Sequence, residues 1–284
     1  MNFYKSLKTS TVFLLIFAWV FSGWPQIFNF PSEIQEARAA LGVVAAPSTA
    51  SILTGDTLTL SSMTGALDEL LFLHVTQRNE TIDPSVSGFG LTWDIIVDAD
   101  DADAQMGIKV YRAQGTGAHS GDIVITVTGN TLPVTVQYWR VSGAVVGNNG
   151  ADAIENITTA SGPAGATDDN DMTVTNTITD AKWNVGFAEH RNSTYTLQGD
   201  EVEAAINFAA GSGGDLITSS LFYSPTAVAQ LGAVDSLSAA KDWVIAAIGI
   251  KEATTTTTTA ARKMRLFAGF KIRLIEGKII LRRK

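Results

Sequence analysis

The sequence predicts an all-β protein, built as a two-sheet antiparallel sandwich of the jelly-roll type. Between residues 50 and 251, apolar and polar residues alternate along many short segments, which is typical of half-buried strands. Clusters rich in Gly, Asn and Asp, such as "VGNNGAD", separate these segments and supply the residues that turns require. No segment of twelve or more residues has the apolar spacing of an amphipathic helix. About 210 residues of this kind predict a single sandwich domain.

Each strand is predicted from a stretch of alternation. In "GFGLTWDIIVDAD", Phe89, Leu91, Trp93, Ile95 and Val97 fall on one face of a continuous strand. The segments "DIVITVTG" and "PVTVQYW" show the same pattern. Further strands are predicted at residues 57–61, 70–77, 106–113, 172–179, 183–189, 216–224 and 243–250. The sequence shows no internal repeat.

The first 39 residues have the features of a secretory signal peptide. Two lysines precede an unbroken apolar run at residues 11–21, and Ala37 and Ala39 offer the small residues that a signal peptidase needs. The alternative is a retained membrane anchor over residues 11–30, which a proline and several polar residues interrupt. We therefore expect a protein that is secreted or held at the cell surface.

The charges of the chain are divided between two regions. Residues 41–260 carry 8 Lys or Arg and 25 Asp or Glu, whereas residues 262–284 carry 9 Lys or Arg and one Glu. The first region therefore has a net charge of −17 and the second a net charge of +8. Because an acidic body repels polyanions, we expect the main domain not to bind nucleic acid. The chain has no cysteine, which excludes disulfides, Cys-ligated metals and thiol nucleophiles.

Composition also divides the chain into segments. The sandwich domain is assigned to residues 40–253, because the last predicted strand ends just before this limit. Residues 254–261 are a Thr-rich linker, since a polar tract without apolar residues does not fold alone. Residues 262–284 form a basic, apolar tail.

The tail sequence "GFKIRLIEGKIILRRK" predicts a β-hairpin that turns at Glu276-Gly277, with Gly at a position that needs positive φ. One face of this hairpin is apolar and the other is basic. The apolar positions are Phe270, Ile272, Leu274, Ile279 and Leu281, and the basic positions are Lys271, Arg273 and Arg282. An amphipathic helix and a disordered end are the alternatives. Because an isolated hairpin is marginal in water, we expect the tail to bind a cell-envelope surface or another copy of the chain.

Three segments together carry a resemblance to a known group of proteins. "GLTWDIIVDADDADAQMGIKVYRAQGTGAHSGDIVITVTG", "VTVQYWRVSGA" and "DWVIAAIGI" occur in this order. They resemble segments of secreted bacterial and phage β-sandwich surface domains of the concanavalin-A-like or jelly-roll type. The resemblance implies the fold and a surface location, and it implies no activity.

The most suggestive candidate site is the acidic segment "DADDAD". Asp98, Asp100, Asp101 and Asp103 place four carboxylates on one turn, and such oxygen ligands suit Ca²⁺. The segment does not follow the EF-hand pattern, because Lys109 stands where that loop needs its bidentate Glu. The alternative, which we favour, is a solvated acidic turn.

Aromatic side chains offer a second candidate site. If Tyr138 belongs to the core with Val134 and Val136, the neighbouring Trp139 points to the opposite face and could stack on a sugar ring. The alternative is a Trp139 that is packed under a loop, since Trp is usually buried. The sequence therefore offers a glycan as a candidate ligand.

Catalytic signatures are weak. Glu201 and Glu203 would share a strand face, as glycosidase carboxylates do, but the Glu-x-Asp-x-x-Glu spacing of concanavalin-A-like glycosidases is absent. Glu189 and His190 are adjacent and so point to opposite faces of a strand. No nucleophile elbow, zinc-protease motif or phosphate-binding loop is present. We expect a non-enzymatic surface or assembly module, with a carbohydrate-binding or carbohydrate-cleaving domain as the alternative.

Overall fold

A computed structural model describes residues 40–78, 83–101, 106–162, 171–191, 201–210, 217–225, 230–233, 242–253, 270–275 and 278–283. For residues 202–210, 233, 270–275 and 278–283 it describes the backbone alone. The predicted signal segment at residues 1–39, the linker at residues 254–261 and Asp103 lie outside the described residues. Within the described ranges, no helix is long and apolar enough to span a membrane.

The described residues form eighteen β-strands and one short 3-10 segment, Asn148–Ala153. The strands are β1 Gly42–Val43, β2 Ser48–Ile52, β3 Thr57–Gly65, β4 Leu70–Gln77, β5 Ser85–Gly88, β6 Asp94–Asp100, β7 Gly107–Gln114, β8 His119–Thr126, β9 Val134–Ser142, β10 Ile154–Ser161, β11 Met172–Thr175, β12 Trp183–Arg191, β13 Val202–Ala210, β14 Ile217–Ser224, β15 Gln230–Ala233, β16 Trp243–Ile250, β17 Phe270–Ile275 and β18 Lys278–Arg283.

The strands assemble into antiparallel sheets. Sheet I has the order β3-β8-β5, and sheet IV consists of β11 and β15. Sheet II has the order β9-β4-β7-β6, with β1 and β2 both paired to the outer side of β9. Sheet III has the order β10-β16-β12-β14-β13. Strands β17 and β18 pair with each other as a hairpin. The predicted all-β architecture of antiparallel sheets is therefore confirmed.

The sheets stack in the order I, II, III, IV, so that both central sheets are covered on two faces. Strand β4, "LLFLHVTQ", is buried along its whole length because its alternate residues face different layers. Leu71 and Leu73 pack toward sheet I, whereas Leu70 and Phe72 pack toward sheet III. A chain predicted to form two layers has four.

Three apolar cores lie between the layers. The core between sheets I and II contains Leu60, Leu73, Ile123, Ile125, Val136 and Tyr138. The core between sheets II and III contains Phe72, Trp139, Val185, Phe187, Leu221 and Ile248. The core between sheets III and IV contains Met172, Val174, Phe222, Leu231 and Ile245.

The two halves of this stack share one topology. Sheets I and II come from residues 42–142, and sheets III and IV come from residues 154–250. In sheet II the order β2-β9-β4-β7-β6 matches the order β10-β16-β12-β14-β13 in sheet III, strand for strand along the chain. The β3-β8 pair of sheet I likewise matches the β11-β15 pair of sheet IV. The first half has two further described strands, β1 beside β9 and β5 beside β8.

Residue pairing aligns the halves position by position. Residues 70–77 correspond to 183–190, and residues 134–141 correspond to 243–250. The bulge between Ile95 and Val97 in β6 recurs between Glu203 and Ala205 in β13, opposite corresponding residues of β7 and β14. A bulge at the same place in two strands is a specific structural match, because bulges are positioned features.

The halves pack against each other through corresponding surfaces. Strand β7 packs on β12, and its counterpart β14 packs on β4, the counterpart of β12. Strand β6 packs on β16, and β13 packs on β9 in the same manner. Such reciprocal contacts are those of an isologous, twofold interface. The protein is a two-half structure with approximate internal twofold symmetry, and the expectation of no internal repeat is wrong at the level of structure.

One predicted strand is wrong in its extent. The continuous strand predicted from Phe89 to Val97 begins only at Asp94. Phe89 has a φ of 61°, in the left-handed region, and this turn ends the run from β5. The bulge after Ile95 then places Ile95 and Val97 on opposite faces, since Ile95 pairs with Tyr111 and Val97 with Val110.

Candidate functional site

The acidic segment lies at the end of β6, the edge strand of sheet II. Asp98 is paired with Lys109 across the sheet and forms an ion pair with it, and Asp83 binds the same ammonium group at 3.2 Å. Burial lowers the pKa of Lys109, but the hydrogen bonds and charges of Asp98 and Asp83 outweigh burial and raise that pKa overall. The cation that Asp98 binds is therefore the Lys109 ammonium group of the chain itself.

The other described aspartates of this segment diverge. Asp100 is paired with Gly107 on the strand. Asp101 is buried, and its Oδ1 accepts a hydrogen bond of 3.2 Å from the Met106 amide. Asp103 lies outside the described residues. Among the residues that the structure describes, no three His, Asp or Glu side chains converge as a metal site requires, and the calcium hypothesis stays a prediction.

Tyr138 and Trp139 lie on opposite faces of β9, as alternation predicts, but both faces are covered. Tyr138 is 3% exposed in the core between sheets I and II, and Trp139 is 1% exposed in the core between sheets II and III. The expectation that Trp139 faces solvent is wrong. Trp139 is buried, as the alternative held, but a sheet rather than a loop covers it. Sheet III, which belongs to the second half of the protein, covers the face of β9 that carries Trp139.

Tyr138 also borders a shallow cleft of about 210 Å³ beside β3. Its hydroxyl donates a hydrogen bond of 3.1 Å to the Thr64 carbonyl, and burial raises the pKa of that hydroxyl. Arg140 lies in the same cleft and binds both carboxylate oxygens of Glu69, at 2.9 and 3.0 Å. Ser48 and Ser62 complete its polar lining.

A buried polar cluster lies between sheets II and III, and sequence reasoning missed it. Sheet II contributes His74 and Gln137, which are neighbours across β4 and β9. Sheet III contributes Glu189 and Ser219, which are neighbours across β12 and β14. All four are at most 1% exposed. Gln137 joins the two sheets through a hydrogen bond of 3.4 Å from its Nε2 to the Ser219 carbonyl.

Most polar atoms of this cluster form no hydrogen bond of good geometry among the described residues. They are both ring nitrogens of His74, both carboxyl oxygens of Glu189, the Ser219 hydroxyl and Oε1 of Gln137. The Gln137 side chain nevertheless lies close to His74, and the Gln77 and Gly107 amides lie close to Glu189. Unpaired buried polar atoms are costly, so they are rare in folded proteins. The adjoining Thr76 and Thr135 differ, because their hydroxyls form a hydrogen bond of 2.6 Å with each other.

Burial keeps the ionisable groups of the cluster neutral. Burial and the charge of Asp101 raise the pKa of Glu189 well above its usual value, although the Gln77 and Gly107 amides and Arg78 act in the opposite direction. Burial lowers the pKa of His74 to about 3. The same cause lowers the pKa of His190, on the other face of β12, to about 4. A fully buried, neutral set has no access to substrate in this structure.

The remaining acidic pair does not form a described site. Glu201 lies just before β13, and its Oε1 accepts a hydrogen bond of 2.9 Å from the Gly232 amide in sheet IV. Glu203 is on β13, where the structure describes the backbone alone. Glu201 thus has a structural contact, which ties sheet III to sheet IV.

The tail forms the two strands β17 and β18 with the pairing that its pattern suggests. Ile272 lies opposite Leu281, and Leu274 opposite Ile279, so these apolar positions share a face. Lys271 lies opposite Arg282 on the other face. The turn residues at 276 and 277 lie outside the described residues.

No protein-family model matches the chain, and searches of curated proteins and of solved structures found no similar protein.

Proposed function

We propose that the protein is an exported, non-enzymatic module of a bacterial surface or extracellular assembly, with the basic tail as its attachment element. The observation that carries this proposal is the separation of charge between an acidic body and a basic terminal hairpin. Opposite charges on two parts of one chain favour contacts with neighbours or with an anionic surface.

The stacking of the four sheets supports the proposal. Each half resembles a jelly roll, because its chain passes repeatedly between two facing sheets whose neighbours are distant in sequence. The four stacked layers bury most of the described aromatic side chains. This arrangement suits a structural role better than an aromatic glycan platform.

Localisation tests the proposal. The full chain would be expressed in an exporting bacterial host, followed by fractionation, protease treatment of intact cells and N-terminal sequencing. We expect a protease-accessible protein whose sequence starts at residue 40. A matched variant with Lys271→Gln, Arg273→Gln and Arg282→Gln should move from the cell surface to the medium. Retention of every form in the cytoplasm would contradict the proposal.

A second candidate function is glycan binding at the cleft beside Tyr138. The polar lining by Ser48, Ser62 and Arg140 favours it, because sugar hydroxyls need such partners. A glycan array with the full chain tests it, with Ser62→Trp as the variant that fills the cleft. Binding that survives this variant would exclude the cleft.

A further inference from the structure

We propose that Asn149 is a site of spontaneous deamidation, which is closed in the folded chain and reactive only when the connection between the two halves opens. This connection, residues 143–153, joins β9 to β10 and contains the 3-10 segment. Asn149-Gly150 is the one Asn-Gly pair in the sequence. An asparagine before glycine is the most reactive kind, because glycine has no side chain to hinder attack by its own backbone nitrogen.

The reaction needs no partner other than water. The Gly150 backbone nitrogen attacks Cγ of Asn149 and forms a cyclic succinimide. The Cγ–Nδ2 bond breaks, and the side-chain nitrogen leaves as ammonia with the proton of the Gly150 amide. Water then opens the ring. Attack of water at Cγ gives aspartate, and attack at the backbone carbonyl gives isoaspartate, whose main chain runs through the former side chain.

Packing requires this reactive pair at this place. Gly150 is buried and has a φ of 84°, in the left-handed region. A Cβ at this position would lie 2.6 Å from Leu70 and 3.3 Å from Arg112. Asn149 has a φ of 51°, which asparagine accepts more readily than most residues. The turn therefore keeps an Asn-Gly pair where the connection lies against β4 and β7.

The Asn149 side chain is held by three hydrogen bonds. Its Nδ2 donates to the Thr92 carbonyl at 3.0 Å and to Oδ2 of Asp94 at 2.9 Å. Its Oδ1 accepts from the Gln114 amide at 2.9 Å. These bonds keep Cγ against sheet II, so the side chain does not turn toward its own backbone in the folded chain.

The attacking group is restrained as well. The Gly150 amide, which must lose its proton to attack, donates a hydrogen bond of 2.8 Å to the Gly147 carbonyl. Asn149 has a ψ of 35°, so the Gly150 nitrogen lies nearly anti to Cβ of Asn149 about the Cα–C bond. Ring closure needs the nitrogen and Cβ on the same side of this bond. The folded geometry therefore excludes the reaction.

Opening of the connection would remove these restraints together. Gln114 fastens the connection to β7, because its Nε2 donates to the Val145 carbonyl at 3.1 Å and its Oε1 accepts from the Gly147 amide at 3.0 Å. Once these bonds break, the pair is free to rotate into the reactive conformation. The rate of deamidation then follows the population of the open state, as cleavage of locally opened chains does.

Deamidation would make the opening hard to reverse. The product has a carboxylate at residue 149 in place of the Nδ2 donor, and this group faces the Asp94 carboxylate and the Thr92 carbonyl. An acceptor thus meets two acceptors, one of which is charged. Arg112, 3.3 Å from Asp94, supplies one positive charge against two negative charges. The modified connection should therefore close less tightly than the original.

Deamidation of the full chain, as released by an exporting host, tests the site. The folded chain and the chain in denaturing urea would be incubated at the same mildly alkaline pH, and peptide mass spectrometry would follow residue 149. We expect the rate in urea to exceed the folded rate about tenfold or more, because the folded chain opens rarely. Absence of deamidation in urea, or equal rates in both states, would overturn the proposal.

Two matched variants link the protection to the connection. Gln114→Ala removes both side-chain bonds to the connection and should raise the folded rate about tenfold, with the rate in urea unchanged. Gln230→Ala, the same change at an exposed glutamine of β15, should alter neither rate. A folded Gln114→Ala chain that deamidates no faster than the unmodified chain would show that the connection does not control the site. The comparison of the unmodified chain with and without urea does not depend on the folding of these variants.

Asn149→Asp tests the effect of the product. Its melting temperature should lie about 4–8 °C below that of the unmodified chain, because a hydrogen-bond donor becomes a charge beside Asp94. Asn148→Asp makes the same change at the exposed neighbouring residue and should lower it by less than about 2 °C. An Asn149→Asp chain as stable as the unmodified chain would contradict the one-way step.

Discussion

The two halves of this protein have the same strand topology but differ in many side chains, so a comparison shows which features the topology needs. Both halves keep the strand order and the bulge in the edge strand. Both also keep a backbone hydrogen bond at the end of β4 or β12, which the Arg78 amide donates to the Pro133 carbonyl and the Arg191 amide donates to the Asp242 carbonyl. They differ in polar residues. His74 corresponds to Phe187, and Arg140 to Gly249. Backbone geometry is therefore shared, and so is the arginine at positions 78 and 191, whereas His74 and Arg140 occur in the first half alone.

The largest expected effect tests the shared interface between sheets II and III. Trp139→Ala should lower the free energy of unfolding by about 3–5 kcal/mol, because it leaves a cavity in a packed core. The corresponding change, Ile248→Ala, should cost about 2–5 kcal/mol. Urea unfolding measures both. A loss below about 1 kcal/mol in either variant would show that the halves are not packed through these residues.

The second effect concerns Glu189, whose counterpart is the hydrogen-bonded Thr76. Above pH 4.5 the unfolded chain ionises Glu189 while the folded chain keeps it protonated, so stability falls as pH rises until the raised folded pKa is reached. Glu189→Gln should remove this loss. Its advantage over the unmodified chain should grow as the pH rises above 4.5, until the raised folded pKa is reached. A constant difference from pH 4 to 7 would contradict it.

The third effect has the opposite sign. Below pH 6.5 the unfolded chain protonates His74, whereas the folded chain does so only near pH 3, so stability falls as pH falls through this range. His74→Phe introduces the residue of the other half, next to Phe187 at 5.4 Å between ring centroids. Between neutral pH and pH 5, the free energy of unfolding of this variant should rise by about 2 kcal/mol relative to that of the unmodified chain. Burial lowers the pKa of His190, on the other face of β12, to about 4, so His190→Gln should show a pH-dependent gain of the same sign.

The smallest effect concerns a pair that only the first half has. Glu69 and Arg140 are 7% and 19% exposed in their side chains, and Glu69→Gln leaves Arg140 with an unbalanced charge. The loss should be about 1–2 kcal/mol, since solvent partly screens the guanidinium. Thermal unfolding at low and high salt measures it. A larger loss at high salt than at low salt would be inconsistent with an ion pair.

Sequence reasoning located most strands but only half of the layers. The apolar run of β4 and the alternation of β9 predict strands at residues 70–77 and from residue 134, as observed. On β9, however, Thr135 and Gln137 look solvent-facing. They are buried because polar residues of another sheet lie opposite them. A polar strand face has the same pattern whether water or a second sheet covers it.

The repeat and the buried cluster escaped prediction for related reasons. The corresponding strands β2 and β10 share the short identity Thr-Ala-Ser, at residues 49–51 and 159–161, and such a match is too short to distinguish from chance. The cluster joins His74, Gln137, Glu189 and Ser219, which are distant in sequence and belong to no spacing rule. Pairing register, which a single sequence does not display, brings them together.

The reciprocal interface has a consequence for synthesis. Sheet II is complete at residue 142, but the sheet that covers its second face is finished only by β16, about 110 residues later. At ribosomal rates of about 5–20 residues per second, the nascent first half waits about 5–20 s with this face uncovered. The uncovered face of sheet II fits sheet III of any copy of the chain. Two chains on one polysome are therefore able to exchange halves. Export before folding, with a chaperone holding the unfolded chain, would keep the halves of each chain together.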